Sequence, residues 1–180
     1  MSEKLKNLAP SAETIAKLQA QHSKIIASSS AAATGATTAS VAGTQSDTPE
    51  IGDIMPDGSI YAGVSPDTGK GMFAMPADTG SKMDFDQADE HTAAFNKDNP
   101  LGHDDWRIPS KDELRVLFDN QKKGALSGTF NLTSGAADMA GMYWSSTQGS
   151  SAINAWSIRF NHGVPELYFR GSPMSVRYVR

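Results

Sequence analysis

The stretch from Met142 to Arg180 constrains the fold most, because it consists of short alternating runs separated by polar or glycine-bearing connections. Side chains of an extended strand point to opposite faces in turn, so alternation marks a strand with one buried face. "MYWSS" opens the series and a polar loop, "TQGSSAIN", follows. In "AWSIRF" Trp156, Ile158 and Phe160 point one way, Ser157 and Arg159 the other. "NHG" is a short connection whose Gly163 can take positive φ. In "VPELYFR" Leu167 and Phe169 are expected inward, with Glu166, Tyr168 and Arg170 outward. Pro165 has no ladder donor and marks an edge or a bulge. "SVRYVR" closes the chain with another alternating run.

Upstream, the spacing predicts a hairpin and two helices. "DIMPDGSIYAG" carries a Pro-Asp-Gly turn between Ile54 and Ile60/Tyr61. Short strand character follows at Met72–Met75. Asp84 caps a helix running to about Asn96, with Gln87 completing a capping box and Phe85, Ala88, Thr92 and Phe95 on the inner face. In "DDWRIPSKDEL" Ser110 caps a second helix and Glu113 is its reciprocal partner. Leu114, Leu117 and Phe118 supply the buried stripe, and the helix ends near Asn120–Gly124. Hairpin, helices, then antiparallel strands make an α+β arrangement with helices grouped against a sheet.

Ahead of this body lie two segments of different composition. Residues 11–27 predict an anchoring helix capped by Ser11, with Ile15, Leu18, His22, Ile25 and Ile26 along a narrow face. Residues 28–49 are small and polar without period, as expected of a linker or extended arm. The chain thus divides into a helical anchor over 1–27, an arm over 28–49 and a domain over 50–180.

Composition narrows the chemistry. The 180 residues carry a formal charge of −4, which disfavours nucleic acid as a partner. There is no cysteine, so disulfides, thiol nucleophiles and thiolate metal sites are excluded together. No window approaches the ~20 apolar residues of a membrane span, and the N-terminus lacks the apolar core of a secretory signal. Asp104 and Asp105 are adjacent and lack the further oxygens a hard cation requires, so one of them is expected to pair with Arg107 or cap a turn. His22, His91, His103 and His162 show no metal-ligand spacing; His91 is expected on an exposed helical turn, His103 and His162 in solvated loops. "DTGKG" lacks the spacing of a phosphate loop, and no nucleophile elbow occurs. The expectation is a chain that is not an enzyme and holds no cofactor or metal.

The segments "GHDDWRIPSKDELRVLF", "YWSST", "AWSIRF" and "VRYVR", in that order, resemble the Lcl C-terminal domain family over about residues 50–180. The resemblance implies a variant of the C-type lectin fold, shared with formylglycine-generating-type domains and the variable receptor-binding proteins of some phages. It implies structural roles for Trp106, Arg107, Pro109, Glu113, Leu114, Trp144, Trp156, Phe160, Arg177 and Arg180. It also implies that the closing strand pairs with the first. Tyr178 stands where the family signature has a cysteine, so any disulfide made by that cysteine in exported members is lost here.

Surface recognition is the remaining function class. The expected face combines Gln148, Ser150, Ser151 and Asn154 from the loop with Arg159, His162, Glu166, Tyr168 and Arg170 from the strands, because Tyr and Arg on a rigid sheet make contacts at low entropic cost. The expected partners are a glycan or protein receptor at this face, and sister copies and a larger assembly through residues 1–49. A phage virion, assembled in the cytoplasm and released by lysis, is the expected setting. A secreted adhesin and a purely structural virion component are the alternatives.

Overall fold

The computed structural model describes residues 48–134 and 139–180; the expected N-terminal helix and the arm lie outside the described residues. The body is α+β, with two helices and two antiparallel sheets. Strands β1 (Ile60–Val64) and β2 (Gly71–Ala74) form a hairpin with a bulge between Tyr61 and Gly63. The Pro-Asp-Gly turn closes as expected, but the segment before it contributes a single bridge, Ile54 to Ile60. Helices α1 (Phe85–Lys97) and α2 (Lys111–Asn120) both begin on capping boxes, Asp84 with Gln87 and Ser110 with Glu113. Each cap satisfies amide donors that the first turn leaves unpaired.

Strands β3 (Met142–Gln148), β4 (Asn154–Arg159) and β5 (Pro165–Phe169) make the second sheet in the order β3-β4-β5. Its β3 and β4 strands are covered on both faces. One cluster joins Leu114 and Leu117 of α2 to Ile60, Ala62, Met72, Tyr143, Ile158 and Phe160. The other joins Phe85 and Ala88 of α1 to Trp106, Met142, Trp144, Ala155, Val176 and Tyr178. Ser145, Ser157 and Arg159 are therefore buried as well, although their alternation with apolar residues suggested an exposed face.

Two strand expectations are corrected. The closing segment does not pair with the first strand. Phe73 of β2 and Arg180 exchange both backbone bonds, and Val179 does the same with Arg107. Met83–Met174 and Tyr143–Ser175 bridges extend this seam, so residues 174–179 are buried on both sides instead of alternating. On β5, Leu167 and Phe169 are exposed, while Glu166 and Tyr168 are half-buried. The register explains this: Leu167 lies opposite Trp156, and Phe169 opposite Asn154. They share the face of Ile158, but α2 packs on β1, β3 and β4 and leaves the β5 margin bare.

Candidate functional site

A cleft of about 310 Å³ opens on the α1 side of the second sheet. Its origin is a register shift. Between Trp144 and Gln148, β3 carries three residues against a single residue of β4. The extra residues bend β3 away from its partner, as bulges do. The Ser146 amide donates to the Pro109 carbonyl at 2.8 Å, and the Lys111 amide donates to Thr147 Oγ1 at 2.9 Å. The Ser145 hydroxyl donates to the Trp156 carbonyl at 2.8 Å. Ser146 and Gln148 are thereby carried to one wall of the cleft.

Helix α1 supplies the opposite wall through Phe85, Asp89 and Thr92. Arg107, Ile108 and Arg170, which lies just past β5, complete the lining. The Arg170 guanidinium stacks 4.4 Å over the Phe85 ring and meets Asp86. Such a concavity combines hydroxyls, an amide, a carboxylate and guanidinium groups around a buried aromatic side chain. That inventory suits a polar, hydroxylated ligand held by several hydrogen bonds.

Arg107 is not paired with either neighbouring aspartate. Its two terminal nitrogens grip the fully buried Glu113 carboxylate, which also accepts from the Ser65 hydroxyl and the Ser110 amide. Burial alone would raise Glu113, but the hydrogen bonds from Arg107, Ser65 and Ser110 outweigh it and hold the group down at about 2. Asp104 and Asp105 are exposed, and Asp105 reaches Arg107 only through its field. The acids of "DDWRIPSKDEL" therefore do not converge on a reaction centre. Among the described residues no group of three or more His, Cys, Asp or Glu could hold a metal ion.

The expected recognition residues separate into three places. Gln148 and Arg170 line the cleft, and Tyr168 packs beside it against the α1 cluster. Arg159, His162 and Glu166 gather at the far end of the β4–β5 hairpin, where Glu166 lies 3.8 Å from Arg159 and 4.0 Å from His162. Arg159 is buried there and donates to the Ala140 carbonyl at 3.1 Å, so it is no surface contact. Asn154 faces the opposite side beside Phe169, and Ser150 and Ser151 are exposed in the connecting loop. Asp89, Thr92 and Ser146 line the cleft without being among the expected recognition residues, Thr92 being expected only on the inner face of α1. The bulge that presents Ser146 has no turn signature in "WSSTQ".

The remaining signature residues hold the fold. Trp106 is buried and its indole donates to the Pro100 carbonyl at 3.0 Å; that of Trp144 donates to the Met83 carbonyl at 3.0 Å. Pro109 is buried, Leu114 and Phe160 sit in the α2 cluster, and Trp156 is half-buried under Lys111. Arg177 is fully buried against Asp78 and the Thr129 carbonyl. Arg180 binds Asp57, which also accepts from Ser59 and contacts His103 at 2.8 Å. His103 is thus a hydrogen-bonding partner of Asp57, not a free loop residue. His91 is half-buried, 2.8 Å from the Tyr178 hydroxyl and stacked on that ring.

Fold and site together define an α+β domain in which Arg107, Glu113, Arg177 and Arg180 are bonded internally and a shallow cleft opens beside α1. Residues 63–180 match the model for the Lcl C-terminal domain, and the chain belongs to that family. Comparison with curated proteins returns no match.

Proposed function

We propose that this chain is a non-catalytic recognition and display module that binds a host-surface glycan or protein through the α1–β3 cleft. The observation that carries this reading is the cleft's composition: Asp89, Thr92, Ser146 and Gln148 stand around the Phe85 ring and the Arg170 guanidinium. A carboxylate, hydroxyls and an amide grouped around a guanidinium fit the hydroxyls of a sugar or the polar groups of a peptide. The non-catalytic part of the proposal is supported by Glu113, whose carboxylate is fully buried and engaged on both oxygens.

We read the body as C-type lectin-like, a reading supported by the return of the terminal residues to the first hairpin. We place the protein in a phage particle, as a head or tail decoration held through residues 1–49, with the low-complexity stretch 28–49 as the supporting observation. The test is retention of the full chain on a glycan array and on bacterial cell surfaces. Asp89→Ala and Gln148→Ala are expected to weaken retention at least tenfold while leaving the melting temperature unchanged. Unaltered retention in both variants contradicts the cleft, and no retention on any surface contradicts recognition itself.

A further inference from the structure

We propose that β5 is a self-association edge: two copies of this chain pair their β5 strands antiparallel about a two-fold axis at Tyr168. This inference is argued from β5 alone, although Arg170, which would face Glu166 of the second copy, also lines the cleft. β5 is the margin of its sheet, and among the described residues no strand or bridge lies on its outer side. Proteins blunt such edges with charges, prolines or bulges. Here the only proline is at the first position, and the β4–β5 register runs without a shift. Leu167 is 42% exposed and Phe169 59%, so the edge is apolar as well as open.

The backbone phase favours pairing. The Arg170 amide donates inward to the Ile153 carbonyl at 2.9 Å. Backbone groups alternate in direction along a strand, so those of Tyr168 and Glu166 also face β4, and those of Leu167 and Phe169 face outward. An axis at Tyr168 sets Leu167 against Phe169 of the second copy as a hydrogen-bonded pair, twice by symmetry. The Phe169 carbonyl already accepts from Ser172 at 2.9 Å and keeps its second lone pair.

The side chains match in the same register. Leu167 meets the second copy's Phe169, which extends the apolar row begun by Trp156. Glu166 falls opposite Arg170, a pairing of opposite charges made twice. The Arg170 guanidinium is already held by Asp86 and the Phe85 ring, and Glu166 lies near Arg159, so both enter with restricted side chains. A strand that is its own complement in charge and shape closes as an isologous dimer.

Sedimentation equilibrium of the full chain tests this. The expected result is a dimer that Leu167→Lys with Phe169→Lys weakens at least tenfold, with the circular dichroism spectrum unchanged because both positions are exposed, and melting lowered only by the lost association. Glu166→Lys, facing Arg170 of the second copy, is expected to weaken it too. The chain has no cysteine, so a Leu167→Cys/Phe169→Cys variant offers only these thiols, and oxidation is expected to give a covalent dimer. A monomeric parent chain overturns the proposal. So does an oligomer insensitive to the lysines, which places association elsewhere, or a monomer whose lysine variant loses surface retention, which assigns the edge to a receptor.

Discussion

Arg177 carries a charge into a site with no exposed surface, and each of its guanidinium nitrogens is bonded. Nε donates to Asp78, one terminal nitrogen to the Met75 carbonyl and Thr129 Oγ1, the other to the Thr129 carbonyl, with the Phe130 ring 4.3 Å away. Asp78 also accepts from the Tyr143 hydroxyl at 2.6 Å. Burial, reinforced by the Asp78 carboxylate, pushes the Tyr143 phenol far above its ordinary range. Arg177→Met keeps much of the volume but strands these acceptors, and urea denaturation is expected to show a loss of about 3–5 kcal/mol. A second residue-scale expectation concerns pH. Burial lowers His91, so the unfolded ring takes up a proton near its ordinary value of 6.5 that the folded ring resists. Stability therefore falls as pH drops below that value, and His91→Gln flattens this limb. A further loss sets in as pH falls from about 4 towards 2, because the folded carboxyls of Asp57 and Glu113 are held at about 2. For Asp57, burial opposes this, but bonds from Ser59, His103 and Arg180 prevail. Urea titrations of parent and variant across pH 8 to 2 measure both limbs.

At the scale of elements, the β4–β5 connection depends on Gly163. It sits at φ +72°, and an added Cβ would come within 2.2 Å of the Phe118 ring. Gly163→Ala is expected to cost about 1–3 kcal/mol from strained backbone and overpacking, read from the urea midpoint. Positive φ here was legible in "NHG", and both capping boxes were legible because Asp84–Gln87 and Ser110–Glu113 are local signals. What the sequence could not tell was which face of a strand is covered. Alternation places Leu167 with Trp156 and Ile158 correctly, but the cover depends on where α2 stops. Likewise "SVRYVR" alternates, yet it lies between β2, the Arg107 segment and β3, so both of its sides are buried. Of the expected recognition residues, Gln148 and Arg170 converge on the cleft because they flank the two places where chain direction changes. Arg159 does not, because its register partner is Met142 in the core.

For the whole molecule, Arg107, Glu113, Arg177 and Arg180 draw the β1–β2 hairpin, the segment before α2 and the last residues of the chain together. The outer surface of the cleft is then free of structural duty at Asp89 and Gln148, which is where recognition is assigned. Deleting residues 1–49 is expected to abolish incorporation into particles while the circular dichroism spectrum keeps its α+β character. Incorporation of the truncated chain contradicts the anchoring role. The closing seam itself is tested most directly by hydrogen exchange on the full chain. The amides of Phe73, Arg107, Val179 and Arg180 are expected to exchange only through global unfolding, and Arg177→Met to accelerate all four. Exchange of Val179 and Arg180 as fast as that of the exposed Asp67 and Thr68 amides would contradict this seam.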